Sequence, residues 1–337
     1  MGLNKLAGSE LEQAGNIIDL ARVLTEKNLV VRTWGNFSCR LDKDNFLITP
    51  SGKAYDKMQP EDLVKINYNG AKSEAVSPGK PSSEMPMHAL GYQIYPEVNV
   101  IIHTHQVFAS AISLRGRPFQ LKAEYAAGFG SDELQLSAYN LPGTPMLHKN
   151  MKKTMEESRA QVILMERHGA FILASNLKEA LARAELLEKF SREKFEELTG
   201  KRPITRARIQ LDYDNEEPAV KTTQKSGKQE YIVYSRDPLI QDYLEKDLSS
   251  YLDDFAQICG PTVKNKRKNN SVVFEPELKR ARCYGLDKAD AYNVRAVLEK
   301  NARAAHVAAV SKQKPIAGWE AWLMRFVYQK KYSKTAE

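Results

Sequence analysis

The sequence predicts an α/β protein. Three observations carry this. Short runs of β-branched and aromatic residues bounded by Gly, Pro and Asn recur through the first half, stretches with a helical apolar period lie between them, and 42% hydrophobic residues over 337 positions are ample for a core. No apolar run approaches the ~18 to 20 residues of a membrane span, and the start, MGLNKLAGSELEQ, is too polar for a signal peptide. A cytoplasmic protein without membrane contact is therefore expected. Cys39, Cys259 and Cys283 have no CxxC spacing and suit a reducing compartment.

Ser9-Glu10-Leu11-Glu12 has capping-box spacing, and Leu11, Ile17, Ile18, Leu20, Ala21 and Leu24 recur on one face, so the chain opens with an amphipathic helix. Short strands follow at Leu29 to Thr33, Phe37 to Leu41 and Phe46 to Thr49, around turns at Trp34-Gly35-Asn36 and Pro50-Ser51-Gly52. Gly35 and Gly52 would let backbone N–H groups face an anion with no Cβ in the way, and Asn36 and Ser51 add polar side chains. Plain hairpin turns would explain the same residues.

The stretch from Pro81 to His105, PSSEMPMHALGYQIYPEVNVIIHTH, holds a serine pair, an acid and two alternating histidines. Ser82 or Ser83 caps a helix that runs through Met87 and Leu90 to about Tyr95, with Pro86 in its first turn and Pro96 as its stop. Val98 to His105 then reads as a strand, whose period of two puts His103 and His105 on one face. Two imidazoles on one face chelate a borderline cation such as Zn²⁺, although two histidines satisfied by hydrogen bonds at a sheet end fit the same spacing. Val162 to Gly169, VILMERHG, is another apolar run ending in a histidine, which makes His168 a third ligand.

Further on, Phe108 to Leu114 reads as a helix, Arg115 to Pro118 as a turn, and Leu121 to Tyr125 as a strand end before a glycine-rich loop. Residues 148 to 158 suggest a helix, 161 to 165 a strand, and Leu177 to Leu198 a long helix rich in Ala, Leu, Glu and Lys. His148 and His306 have no motif context.

The net charge of +8 lies wholly in the C-terminal part, since residues 1 to 200 carry 24 basic and 24 acidic side chains and residues 201 to 337 carry 26 and 18. No aromatic-interleaved basic motif accompanies it, so a nucleic-acid partner is not expected, and KNKRK at Lys264 to Lys268 reads as a loop. Residues 201 to 235 are polar and are expected to be a linker or excursion. In the extension, 236 to 337, a shift of 111 positions lays Val162 on Val273, Ala180 on Ala291 and Leu187-Glu188-Lys189 on Leu298-Glu299-Lys300. That suggests a degenerate partial repeat, against the alternative of chance similarity between two strand–helix units, and His168 falls on Lys279. Trp319, Trp322, Leu323, Phe326 and Val327 recur at helical spacing, a stripe that normally belongs to a core or an interface.

The motifs GNFSCR (35 to 40), ITPSG (48 to 52), SSE (82 to 84), HTH (103 to 105) and RHG (167 to 169), in this order and spacing, resemble the class II aldolase/adducin family of sugar-phosphate lyases and epimerases, over about residues 10 to 200. The resemblance implies a three-layer fold with a mostly antiparallel central sheet flanked by helices, and a catalytic domain over residues 1 to 200. It implies a divalent metal, Zn²⁺ first, on His103, His105 and His168, and a phosphate pocket lined by Gly35, Asn36, Ser51, Gly52, Ser82 and Ser83. Glu84 would move the proton, with Glu124 and Tyr125 falling where family members carry an acid or tyrosine for proton transfer. His88, one helical turn after Glu84, is expected to pack beside it or support it. A symmetric homotetramer is implied as well.

The reading is a metal-dependent aldolase that reversibly cleaves a phosphorylated ketose. Its rivals on the same metal are a ribulose-phosphate 4-epimerase, whose family members usually carry Asp at the position of Glu84, a sugar-phosphate dehydratase and a decarboxylase. A non-catalytic adducin-like module would keep the fold and lose the ligands, and all three histidines are present.

Overall fold

A computed structural model describes residues 6–30, 34–69, 73–202, 219–223, 229–264 and 271–331, and it divides into two compact units, Met1–Ser191 and Arg192–Glu337. The first opens with α1 (Gly8–Glu26), which buries Ala14, Ile17, Ile18, Leu20, Ala21 and Leu24 as its apolar period requires. Its cap differs from the expected one. Ala7 stands at the N-cap and donates its N–H to Glu10 Oε2 at 2.8 Å, because Glu10 is the acid three positions on. Leu29 and Val30 form a bend, and the remainder of the strand expected there lies outside the described residues.

One sheet of nine strands organises this unit. In chain order they are β1 (Gly35–Arg40), β2 (Asn45–Ile48), β3 (Val64–Asn67), β4 (Glu74–Ala75), β5 (Val100–Thr104), β6 (Phe119–Gln120), β7 (Glu133–Ser137), β8 (Val162–Met165) and β9 (Gly169–Ala174). Their spatial order is β4-β3-β2-β1-β5-β9-β8-β7-β6, and every pairing is antiparallel except β7 with β8. That parallel step needs a crossover, which α5 (Pro145–Ser158) supplies. Thr144 caps α5 by accepting the Leu147 N–H, with Pro145 at the first helical position, so the helix begins three residues before the expected start.

The helix that matters most for the site is α2 (Met85–Ile94). It starts later than expected, with Glu84 at the N-cap, while Ser82 Oγ accepts the Glu84 N–H at 3.3 Å. Its far end is held by Arg40, the last residue of β1, whose guanidinium donates to the carbonyls of Tyr92 and Tyr95 at 3.0 Å each and to Val98 at 2.8 Å. One core cluster gathers Phe46, Ile48, Ile101, Phe171 and Leu173 of the sheet with Met87 and Tyr92 of α2 and Met151 and Met155 of α5. Helix α3 (Val107–Ile112) packs against β8 and β9. The long α6 (Leu177–Thr199) caps it, since Glu188 accepts the N–H groups of Phe108 and Ala109.

Residues Leu121 to Tyr125, expected as a strand end, instead lead into α4 (Ala123–Phe129). Tyr125 is buried there against Phe190, with ring centroids 4.9 Å apart.

The second unit contains a four-stranded antiparallel sheet ordered β10 (Val220–Thr223), β11 (Gln229–Ser235), β15 (Arg280–Gly285), β14 (Val272–Glu275). Part of the stretch expected to be a linker is therefore sheet. Ile232 and Val233 of β11 are buried, and the strand pairs with β15 along its length. A two-stranded ladder of β12 (Leu248–Ser249) and β13 (Thr262–Val263), and the helices α7 (Pro238–Gln241), α8 (Asp253–Cys259), α9 (Lys288–Ser311) and α10 (Gly318–Lys331), complete it. Most of KNKRK lies outside the described residues.

The hairpin–helix segments of the two units share a layout. β9 and α6 correspond to β15 and α9 at an offset of 111, while β8 and β14 differ by 110, because the turn before β15 is one residue longer. Even the helix starts agree. Glu179 N–H donates to Asn176 and its carboxylate takes the Ser175 N–H, and Asp290 makes the same two bonds with Asp287 and Leu286. At the position of Gly169 stands Arg280, which pairs with Glu275 and lies 3.8 Å over the Tyr234 ring. On α10, Ala321 and Met324 are buried, whereas Trp319 and Trp322 are 66% and 60% exposed, so the aromatic stripe is not core within this chain.

Gly169 is where the sheet admits no side chain. A Cβ there would stand 2.2 Å from the Thr104 carbonyl oxygen and 3.3 Å from His103 Cε1, with backbone that cannot swing aside. Gly169→Ala should therefore cost about 1–3 kcal/mol by overpacking, read as a lower midpoint in urea unfolding. An unchanged midpoint would show that β5 and β9 are not this tightly apposed.

Candidate metal centre

His103 lies on β5 and pairs in register with Phe171 of β9, and His105 follows just past the strand end. The alternation of the strand carries both rings to the same side, where their centroids are 4.7 Å apart. His168 ends the turn between β8 and β9. Arg167 before it adopts a left-handed φ of 62°, which delivers the His168 ring parallel to that of His103 at 4.8 Å. Sequence spacing thus brought together three histidines that the sheet does place side by side.

Their nitrogens converge on one point. His103 Nδ1–H donates to the Ala170 carbonyl at 2.9 Å, which leaves Nε2 with its lone pair. That Nε2 is 2.9 Å from His105 Nε2, and one nitrogen from each of the three rings lies within 4.8 Å of the others. Nitrogens bound to a tetrahedral zinc at ~2.0–2.1 Å would be separated by about 3.3 Å, so the set fits a divalent ion. All three rings are buried.

Glu84 completes the cluster. Its Oε1 is 2.9 Å from His168 Nε2 and its Oε2 is 3.3 Å from His103 Nε2. Asn36 Nδ2 donates to Oε2 at 2.8 Å. Burial alone would raise this carboxyl, but the neighbouring His103 and His168, with hydrogen bonds from His168 and Asn36, hold it well below the usual carboxylate range. Asn36, expected to line a phosphate pocket, has its amide engaged with Glu84 and with His88, whose Nε2 is 2.5 Å from Asn36 Oδ1. His88 is fully buried.

The remaining expected pocket residues lie in two joined loops. Ser51 N–H donates to the Lys80 carbonyl and Ser82 N–H to the Thr49 carbonyl, and Pro50 bridges Pro81, so the Pro-Ser-Gly turn and the serine pair run side by side. Gly52 takes φ 77°, as that turn requires. Gly35 is closed to any side chain, since a Cβ would meet the His103 carbonyl oxygen at 2.7 Å. Glu124 is exposed on α4 and Tyr125 belongs to the aromatic cluster with Phe129 and Phe190, so the centre is assembled without them. His148, on α5, was given no role by its sequence context. It lies close enough to feel the Glu84 charge, which offsets part of the lowering that burial imposes on its imidazole.

Two outcomes follow from this geometry. His103→Ala or His168→Ala should lose tight metal retention while keeping the fold, because a three-nitrogen chelate fails when one arm goes. Metal content of the purified variants checks it, and unchanged stoichiometry would strike that residue from the ligand set. Second, burial and the adjacent His103 push the His88 imidazole down to about 3. Between about 3 and the ordinary value of ~6.5, the unfolded chain binds a proton that the folded chain does not, so stability rises with pH across that window and is lost as pH falls through it. Urea unfolding at pH 7.5 and pH 5 should show the loss, and His88→Gln should show less of it than the unmodified protein.

A match to the family model described as "Class II Aldolase and Adducin N-terminal domain" covers residues 15–194. The chain is 33% identical over 169 residues to an L-fuculose phosphate aldolase of Escherichia coli O6:H1, covering 50% of this chain and 75% of that protein. It is 32% identical over 186 residues to a 5-methylthioribulose-1-phosphate/5-deoxyribulose-1-phosphate aldolase of Rhodospirillum rubrum, covering 55% and 81%. A Mycoplasma pneumoniae protein named as an L-ribulose-5-phosphate 4-epimerase is 30% identical over 179 residues, covering 49% and 74%. Among solved structures, an L-fuculose 1-phosphate aldolase superposes with a TM-score of 0.51 at 24% identity, over 63% of this chain and 98% of that one, which speaks for the fold. With its helix-flanked, mostly antiparallel sheet and a family match over more than half its length, the chain belongs to the class II aldolase and adducin family.

Proposed function

We propose that the chain is a metal-dependent lyase that reversibly cleaves a phosphorylated ketose into a ketose-phosphate fragment and an aldehyde. The observation that carries this reading is Glu84, a buried ionised carboxylate held between the three-histidine cluster and Asn36. A carboxylate in that place does what the reaction needs. It stays charged at neutral pH, it is shielded from bulk water, and it stands beside the point where the substrate's hydroxyl and carbonyl would gather.

His103, His105 and His168 would hold the divalent ion, Zn²⁺ first. When bound, that ion supplies Lewis-acid stabilisation of the negative charge that develops on substrate oxygens. Ser51, Gly52, Ser82 and Ser83 would receive the phosphate, with Gly35 keeping the strand end close behind. The two loops are tied to each other by backbone bonds, so the anion would meet a pocket formed in advance. Glu84 would take the proton from the substrate hydroxyl as the carbon–carbon bond breaks and then give it to the carbon of the enediolate so released, which completes the ketose-phosphate fragment; the same two transfers run backwards in synthesis.

The family relatives include both aldolases and an epimerase, and product analysis separates the two chemistries. Metal-loaded protein incubated with ketose 1- and 5-phosphates should release dihydroxyacetone phosphate and an aldehyde from one of them, whereas an epimer without fragment would establish the 4-epimerase reading. Glu84→Gln keeps the size of the side chain but accepts no proton, so kcat should fall by ~10² to 10⁴ while KM and metal content change little. Near-full kcat in the metal-saturated variant would remove Glu84 as the proton-transfer residue.

A further inference from the structure

Behind Glu84 lies a file of buried polar side chains that the reaction itself does not use. Asn36 Nδ2 meets Glu84 Oε2 at 2.8 Å, His88 Nε2 meets Asn36 Oδ1 at 2.5 Å, Ser38 Oγ meets His88 Nδ1 at 2.6 Å, and Tyr92 Oη meets Ser38 Oγ at 2.8 Å. Asn36, Ser38, His88 and Tyr92 are all buried, at 4%, 0%, 0% and 2% exposure. No member can exchange a lost partner for bulk water.

The direction of every bond follows from the carboxylate. An ionised Glu84 only accepts, so Asn36 turns its NH₂ towards Oε2 and its carbonyl oxygen towards His88. That oxygen needs a donor, and His88 Nε2–H is the one facing it. A neutral imidazole with its proton on Nε2 has an acceptor at Nδ1, so the Ser38 hydroxyl donates there and in turn accepts from the Tyr92 hydroxyl. Reversing any one bond reverses all of them and sets the Asn36 carbonyl oxygen against a carboxylate 2.8 Å away.

We propose that His88 is a positioning residue that, as the Nε2–H tautomer, locks the Asn36 amide onto Glu84 Oε2 and so fixes the orientation of the carboxylate that takes the proton. The inference rests on Glu84 as the proton-transfer residue. Oε2 accepts from Asn36 at 2.8 Å while Oε1 faces His168 Nε2 at 2.9 Å, so the carboxylate cannot rotate while Asn36 holds it. The anchor is set well back, because Tyr92 is on α2, the helix whose C-terminal carbonyls Arg40 holds.

Two measurements test this. In ¹⁵N-labelled metal-free protein at pH 7, the imidazole nitrogen shifts of His88 should report a neutral ring with its proton on Nε2. A ring protonated on Nδ1 overturns the relay whatever the activity. In kinetics on whichever ketose 1- or 5-phosphate proves to be the substrate, His88→Leu should lower kcat by about 10- to 100-fold with KM and metal retention within about threefold, and His88→Gln, whose amide can donate to Asn36 and accept from Ser38, should recover most of it. Equal losses in both variants, or a loss confined to metal retention, would reduce His88 to a packing residue. Should His88→Leu not fold, the tautomer measured in the unmodified protein decides alone. The two readings fail separately, since an active Glu84→Gln removes the reaction assignment without altering the tautomer.

Discussion

The pairing of β5 with β9 is the constraint on which the rest of the first unit depends. Setting Thr104 opposite Ala170 and His103 opposite Phe171 brings a strand end carrying two histidines against a turn carrying the third. The same register puts the Ala170 carbonyl where it fixes the tautomer of His103, so one ladder supplies both the clustered histidines and the proton placement that leaves a lone pair on one of them. A side chain at Gly169 would collide with Thr104 backbone, which explains why the histidine of the turn is followed by glycine.

A buried carboxylate is costly unless its surroundings answer it. Here the answer comes from the middle of the sheet: His103 from β5, His168 from the turn before β9, and Asn36 from β1. The N-cap position of Glu84 adds a favourable helix field, and α2 is kept from drifting by Arg40 at its other end. The placement of one carboxylate is thus traceable to an arginine that donates to three backbone carbonyls and to the Tyr68 hydroxyl and lies over the Tyr92 ring.

Local pattern and spacing made the clustering of the three histidines legible, because period-two alternation and a His-Gly turn are short-range signals, whereas Glu84 was singled out through the family resemblance. The role of Asn36 was not legible. Its position in a Gly-Asn turn suggested an anion, whereas its partner is set by how α2 docks on β1, a contact between residues 36 and 84 that no local pattern encodes. The strand end expected at Leu121 to Tyr125 gave way to a helix for a related reason. That short helix is stabilised by packing of Tyr125 and Phe129 on Phe190, and tertiary contact outweighed the strand-like look of the residues before it. In the second unit, β11 hid within a polar stretch because only some of its residues, Ile232 and Val233 among them, face a core.

The separation in sequence between β5 and β9 also bears on how the protein is made. The β8–β9 hairpin with α6 is built from near neighbours, but the pairing that gathers the histidines must close a loop containing α3, α4, α5 and three strands. Such non-local contacts form after local ones, since loop-closure entropy is spent before they reward it. The chelating site therefore exists only near the end of folding. An ion bound there would act on the finished structure, lengthening the lifetime of the native state by slowing its opening and leaving the rate of its formation nearly untouched.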